Sequence, residues 1–415
     1  MPEASYTRHV ESRLRETLQD SPVVLIQGPR QCGKTTLART VGETEGYHYI
    51  SFDDEDTRVA AEADLMGFVK TLPERVILDE VQKVPEIFSS IKLAVDRNRT
   101  PGRFILTGSV SVLHVRGITD SLAGRMDIIR LHPFSQSELE GSAPGFPDAL
   151  FSSEFDIWQE RGDSREIVIM DKVAAGGYPV ALQRSGERRA DWYRRYIEIL
   201  VEHDSRDIAA VRSPEILSSL LALAAAQTAG LLSVNGLSSS FKLSRNTVHD
   251  YIFLLERMFL LERLPAWHSN HLKRLVKTPK LHVTDTGIAC ALMRMNAAAL
   301  SANRPFYGHL LETWVLQELR RQLSGHRQPH VFSHYREKDG TEVDIVIERG
   351  ASALAGVEVK ASATVRDSDF RGLRRLRAAA GDRFSCGAVL YNGERSLRFG
   401  EGLYAVPLRS LWEME

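Results

Sequence analysis

Cysteine is scarce. Cys32, Cys290 and Cys386 are the three in 415 residues, odd in number and far apart. That excludes a disulfide framework and a Cys-based zinc site, and predicts a reducing, cytoplasmic setting. The 13 histidines contain no HExxH and no spaced Cys/His set, so no zinc centre is predicted. Long apolar runs are missing as well. The best candidate, LLALAAAQTAGLL at 220–232, contains Gln227 and Thr228 and falls short of the ~20 residues a membrane span needs. The first residues, MPEASYTRHVESRLRETL, are polar and charged, so no secretory leader is expected. An excess of one charge is also absent: 53 Lys+Arg stand against 54 Asp+Glu, a net charge of -1. Bulk electrostatics therefore give no argument for nucleic acid, and any basic surface must be local.

What is present is ordinary globular material, 43% hydrophobic and 26% charged, enough for two or three packed domains. In residues 1–150, VVLIQ (23–27), YHYISF (47–52), RVILDE (75–80), RFILTG (103–108) and MDIIRL (126–131) read as buried strands separated by helical patterns. That alternation predicts a parallel sheet with helices on both faces. The Gly/Pro/Ser/Asp-rich stretch 141–156 reads as a connection or an insertion, continued by acids at Glu154, Asp156, Glu160 and Asp163. Residues 151–304 are mostly helical in pattern, with periodic segments at 192–204, 215–227 and 247–261. Residues 305–415 open with a helix over 308–323. Two alternating strands follow at 341–348 and 354–360, then a basic helix and a strand at 386–391. The fold class expected is multidomain α/β.

The sharpest motif is GPRQCGKT between VVLIQ and TLART, which fits G-x-x-x-x-G-K-[ST]. In the loop Gly28, Pro29, Arg30, Gln31, Cys32 and Gly33, the glycines would let successive backbone N–H groups, all but that of Pro29, converge on phosphate oxygens at a helix N-terminus. Lys34 would reach the β/γ-phosphates and Thr35 would ligate Mg2+, with Thr36 as its structural neighbour. Arg30 suits either phosphate contact or packing on the adenine side. Cys32 reads as a small filler, with a redox switch as the other reading. Asp79 ends a buried strand, where a carboxylate holds Mg2+. Glu80 then stands where a base polarises water, unless the pair only caps the next helix. Ser109 or Thr107, after another strand, would meet the γ-phosphate or the attacking water; a helix cap is the bland alternative. Arg125 suits a transition-state finger, in cis or across a subunit boundary, or a surface arginine. Asp53, Asp54 and Asp56 read as an acidic surface turn, with a nucleotide-edge contact as the other reading.

GPRQCGKTTLA, VILDEVQ, ILTGSV and LAGR, in this order, resemble the AAA+ class of P-loop ATPases. They are more specifically similar to a large prokaryotic family of AAA-type ATPases with a C-terminal domain of unknown function. The resemblance extends through GGYP (176–179), TDTGIA (284–289) and EVDIVIE…GVEVKAS, and so covers nearly the whole chain. It implies ATP rather than GTP, with Mg2+, in agreement with the absence of N-K-x-D at the expected place. Many members of the class form rings, but no residue establishes a homo-oligomer here. The compositional blocks give an ATPase domain at 1–150, a helical and winged-helix domain at 151–304 and a C-terminal domain at 305–415.

Two further readings concern partners. LLSVNGLSSSFKLSRNTVHDYIFLLERMFLLERLPAW has the shape of a helix-turn-helix with Ser244 as N-cap. Val248, Tyr251, Ile252 and Leu255 would face inward, and Arg245, Asn246 and His249 outward. MFLLERL and KTPKLHVT would form the wing. With the basic clusters at 263–280 (His268, His271, Lys273, Arg274, Lys277, Lys280) and 366–377 (Arg366, Arg371, Arg374, Arg375, Arg377), this suits DNA backbone contact. A rigid lid or protein interface is the alternative. In the last block, alternation presents Asp344, Glu358 and Lys360 away from the core. With Glu312 on the preceding helix, the set resembles the PD-(D/E)XK nuclease superfamily. That resemblance implies Mg2+ on Asp344 and Glu358, with Lys360 positioning water. A solvated hairpin, or a nuclease-like fold that only binds, is the competing reading.

Overall fold

A computed structural model describes residues 6–109, 122, 124–156, 166–204, 213–274 and 277–414. Glu160 and Asp163 of the acidic stretch, Ser121 and Ala123 beside Arg125, and the side chains of His271 and Lys273 lie outside the described residues. The chain makes two compact units. One comprises Met1–Phe134, Arg257–Phe259 and Ser324–Arg327; the other comprises Ser135–Glu256, Leu260–Leu323 and Gln328–Glu415.

The first unit is built on five parallel strands, β1 (Val23–Gln27), β2 (His48–Ser51), β3 (Val76–Asp79), β4 (Phe104–Gly108) and β5 (Met126–Arg130), in the order β2-β3-β4-β1-β5. These are the five runs expected from the sequence. The period-2 geometry divides each strand between two cores. Val23 and Leu25 join Phe104, Leu106, Val76 and Leu78 on one side, and Val24 and Ile26 join Ile105 and Ile77 on the other. The helix Ile87–Arg97 closes the first side with Ile87, Phe88, Ile91 and Val95, each stabilising by about 1.5–3 kcal/mol on burial. The helix Lys34–Glu45 closes the second with Leu37, Ala38 and Val41. Because all strands run the same way, Gln27, Asp79 and Gly108 end at one edge, where ligands bind in open α/β sheets.

The second unit holds the middle and last blocks. A three-stranded antiparallel sheet, β6 (Gly230–Leu231), β7 (Leu261–Leu264) and β8 (Lys280–Val283) in the order β6-β8-β7, accompanies the helices Val234–Phe241 and Arg245–Arg257. The latter helix ends earlier than its apolar pattern suggested. Phe259 turns at φ 57°, and the apolar run continues as a strand. A six-stranded mixed sheet follows: β9 (His330–Arg336), β10 (Glu342–Arg349), β11 (Ala353–Lys360), β12 (Phe384–Tyr391), β13 (Leu397–Gly400) and β14 (Leu403–Pro407), ordered β13-β14-β12-β11-β10-β9. The helix Arg371–Ala380 packs Leu373 and Leu376 onto Val343 and Val389. The stretch read as a connection contains a buried helix, Gly145–Ser152, with Phe146, Leu150 and Phe151 inside. Its glycines and prolines disguised an apolar face.

GGYP and TDTGIA meet in this unit. Asp285 accepts from Gly177 N–H at 2.8 Å, Gly287 N–H at 3.0 Å, Tyr193 Oη at 3.1 Å and Arg321 at 3.0 Å. Gly176 stands at φ 67°, where a Cβ would lie 2.1 Å from Asp285 Oδ1. These motifs are a buried polar joint, and burial pushes the Tyr193 hydroxyl well above the usual phenol range, with Asp285 adding to it.

Candidate functional site

The loop after β1 enters its helix through Gly33 at φ 100°, a conformation that glycine adopts without steric cost. Lys34, buried, donates from Nζ to the Pro29 carbonyl at 2.8 Å. Thr35 Oγ1 donates to Asp79 Oδ1 at 2.8 Å, spanning from the loop helix to the end of β3. Thr107 Oγ1 donates to the same oxygen, and Tyr49 Oη donates to Asp79 Oδ2 at 2.8 Å. Asp79 is thus held by three neutral hydroxyls. Glu80 has a left-handed backbone, φ 58°, fixed by its N–H on Thr107 Oγ1 at 3.0 Å. For a non-glycine this is a strained position of the kind concentrated at functional sites. Its carboxylate accepts from Ser109 Oγ at 3.2 Å and from Gln82 Nε2, which also donates to Ser109 at 2.9 Å.

The structure therefore brings Lys34, Thr35, Asp79, Glu80 and Ser109 to one sheet edge. Hydroxyl and carboxylate oxygens are the hard donors that Mg2+ prefers, and Thr35 with Asp79 fits that ion. Arg30 and Gln31 are exposed on the loop and Thr36 on the helix, whereas Gly28 and Pro29 are buried. Cys32 is fully buried, and burial pushes its thiol up, which favours the filler over the redox switch. Asp54 caps the helix Glu55–Ala63 through Thr57 N–H at 2.8 Å, and Asp53 pairs with Lys83 at 2.7 Å, as an acidic turn should. Arg125 forms a two-point pair with Asp96 at 2.6 and 3.1 Å; a finger role requires that pair to open. Sequence reasoning missed Arg8, which is buried and donates to the Cys32 carbonyl at 3.0 Å, bracing the loop. It also missed Tyr49 and Gln82. Only three-dimensional proximity identifies them.

In the second unit, Arg245, Asn246 and His249 are exposed and Val248, Ile252 and Leu255 buried, as the periodicity predicted, whereas Tyr251, expected inward, is half-buried. Ser244 caps their helix through Thr247 N–H at 3.1 Å. The basic clusters are largely tied up. Arg274 pairs with Glu348 at 2.6 Å, Arg263 with Glu256 at 2.8 Å, and Lys277 donates to the Arg336 carbonyl at 3.1 Å. Arg374 is held by Asp367, and Arg375 by Glu337 at 3.1 Å. Lys280, expected on an exposed basic surface, is only 3% exposed.

The carboxylate set also departs from expectation. Alternation predicted side chains facing away from the core, but both faces of the sheet are covered. Glu312, Asp344 and Glu358 are each no more than 7% exposed, so a solvated hairpin is excluded. Lys280 Nζ donates to Glu312 Oε1 at 2.7 Å and Asp344 Oδ1 at 3.2 Å. Asp344 Oδ2 accepts from Val359 N–H at 3.0 Å, and Lys360 Nζ donates to Glu358 Oε1 at 2.8 Å. Burial raises Asp344, but Lys280 and the Val359 N–H reverse this and leave its carboxyl below the usual range. Burial and the neighbouring Asp344 push Glu358 up to about 8. The four residues expected to converge do so, joined by a lysine that no motif had indicated. A divalent cation does not fit beside that lysine. Among the described residues no group of three or more His, Cys, Asp or Glu is arranged to hold a metal ion, and no helix is long and apolar enough to cross a membrane.

Three stretches of the chain match known families. Residues 20–140 match a family described as an AAA domain. Residues 169–299 and 307–411 match two domains of unknown function, DUF8612 and DUF4143. The chain is 28% identical over 403 residues to the uncharacterized protein Rv2008c of Mycobacterium tuberculosis, covering 96% of this chain and 83% of that one. The figures are the same for Mb2031c of Mycobacterium bovis. Among solved structures, the Walker-type ATPase PABY2304 of Pyrococcus abyssi shares 20% identity at a TM-score of 0.43, over 70% of this chain and 97% of that one. The Thermotoga maritima RuvB Holliday junction branch migration motor shares 20% identity at a TM-score of 0.28, over 62% and 89%. The family match, the parallel sheet and the phosphate-loop sequence agree: residues 20–140 are an AAA-type ATPase domain, within a multidomain α/β chain.

Proposed function

We propose that the chain is a Mg2+-dependent ATPase whose hydrolysis cycle controls a recognition module in its second unit. The observation that carries the reading is the Thr35–Asp79 hydrogen bond at 2.8 Å, with Glu80 held beside Ser109 at 3.2 Å. Lys34 and the loop N–H groups bind the phosphates of ATP. Thr35 and Asp79 hold Mg2+, which when bound neutralises charge on those phosphates. Glu80 accepts a proton from the attacking water, and Ser109 with Gln82 keeps its carboxylate oriented until substrate arrives. Arg125 approaches the developing charge only after leaving Asp96, in its own subunit or a neighbour's. A Lys34→Ala protein is expected to lose ATP turnover by about two orders of magnitude or more; normal binding and hydrolysis by that variant would overturn the reading.

DNA is the partner class favoured by the exposed Arg245, Asn246 and His249 on a capped helix beside a three-stranded sheet, an arrangement resembling a winged helix. Binding of the full chain to duplex DNA should weaken steeply with salt, and more so for wild type than for Arg245→Ala. Salt-independent or absent binding points to protein partners. The convergence of Glu312, Asp344, Glu358 and Lys360 supports a nuclease-like C-terminal fold, resembling the PD-(D/E)XK superfamily. The engagement of Lys280 by two of its carboxylates favours recognition without cleavage. Linear, supercoiled and branched DNA incubated with Mg2+ and ATP should survive equally with wild type and Asp344→Ala.

A further inference from the structure

The lysine at the C-terminal carboxylates has a geometry that an incidental surface charge would not. Its side chain is 4% exposed, and its ammonium lies 2.7 and 3.2 Å from two carboxylates that are themselves buried. Desolvating an ammonium is costly, and only close opposite charges offset it. We propose that the Lys280 ammonium is a tethered cation occupying the divalent-metal position of Glu312, Asp344 and Glu358, so that the native chain excludes a metal there and loss of Lys280 opens a site for one. For its meaning this rests on the nuclease-like reading of the last block; its test reads cation binding alone.

Three observations carry it. First, a divalent ion on these residues would need the oxygens already given to Lys280, at 2.0–2.6 Å. It would then stand within a few ångström of a like charge in a dry interior. Second, the charges nearly balance without a metal: two ammoniums, Lys280 on Glu312 and Asp344 and Lys360 on Glu358, face three carboxylates. Glu358 accepts from Lys360 through Oε1 only, and its buried Oε2 has no hydrogen-bond partner among the described residues. That oxygen is the unused ligand a displaced lysine would leave to a metal. Third, Lys280 is delivered by a fixed element. It opens β8, whose His282 bonds Thr313 at 3.0 Å on the helix that carries Glu312. Asp285, just after the strand, bonds Arg321 on the same helix at 3.0 Å. The tether is part of the packing, not a swinging side chain.

Mn2+ is the probe, added to full-length, nucleotide-free protein. By electron paramagnetic resonance, native protein and Asp344→Asn are expected to bind the same number of ions. Lys280→Met is expected to bind one more. Its thermal midpoint, lowered on the order of 10 °C without metal, should rise with Mn2+. The extra ion and the rise should vanish in Lys280→Met/Asp344→Asn. A native protein that loses a bound Mn2+ on Asp344→Asn overturns the proposal, as does a folded Lys280→Met that gains none. The native comparison stands even if Lys280→Met does not fold. DNA cleavage is scored in a separate reaction, so absence of a nuclease and absence of a latent metal site give different results.

Discussion

The two units solve the same electrostatic problem in opposite ways. Each places buried carboxylates within reach of several hydrogen-bond donors. In the first, Asp79 is held by the hydroxyls of Thr35, Thr107 and Tyr49. Neutral donors orient the carboxylate and leave its charge available. In the second, Glu312 and Asp344 are held by the ammonium of Lys280, and Glu358 by that of Lys360. Cationic donors orient the carboxylates and consume their charge. In the proposed reading, identical acidic residues thus yield a site ready for a metal in one place and a self-neutralised core in the other. The difference lies in the donors around them.

The largest effect should come from breaking the second arrangement. Lys280→Met leaves buried, unpaired carboxylates and is expected to cost about 3–5 kcal/mol of stability, measured by urea unfolding. Adding Asp344→Asn should recover part of it. If Lys280→Met is neutral, the ammonium is not the counter-charge claimed. In the first site, Glu80→Gln preserves shape and removes the proposed base. ATP turnover should fall about 10³-fold while ATP binding, read by fluorescent-nucleotide displacement, is retained. Loss of both together would make Glu80 a structural residue instead.

Glu318 is an intermediate case, fully buried and held by the Gln136 N–H at 2.7 Å with Arg321 at 3.5 Å. Burial raises it to about 7 despite Arg321. The folded state therefore keeps a proton that the unfolded state releases near 4.5. Its contribution to stability is full below about pH 4.5 and lost as pH rises through about 7, up to roughly 3 kcal/mol. Glu318→Gln should flatten the decline in unfolding midpoint between pH 5 and 8; an unchanged slope would remove Glu318 from the comparison. The smallest effect is expected at Thr107→Val, about 1–2 kcal/mol for a buried hydroxyl serving Asp79 and the Glu80 N–H. It is read in the same unfolding assay. A cost as large as that of Lys280→Met would erase the distinction between neutral and cationic donors.

The first unit was legible because its signals are local. Each strand is a short Val/Ile/Leu run, and the phosphate loop sits between one such run and its helix. The parallel order then carries Asp79 and Ser109 to the loop without further information. The second unit was legible only in part. Asp344, Glu358 and Lys360 were found because strand alternation places them, and Glu312 through the resemblance to the nuclease superfamily, but Lys280 was assigned to a solvent-facing basic cluster. Its partners lie 32 and 64 residues away in sequence, and no periodicity distinguishes a lysine on an exposed wing from one under a helix. Residues 141–156 misled for a related reason. Gly145 and Pro147 look like breaks, yet both fit the first turn of the helix Gly145–Ser152. Arg8 and Gln82 carry no motif at all.

The claim that one carboxylate site is open to a divalent cation and the other closed is tested most directly by anomalous diffraction. Crystals of the wild-type chain would carry Mn2+ and a nonhydrolysable ATP analogue. The account predicts one Mn2+ peak per chain, between Thr35, Asp79 and the nucleotide phosphates, with Lys280 still on Glu312 and Asp344. A second peak among Glu312, Asp344 and Glu358, with Lys280 displaced, would contradict it.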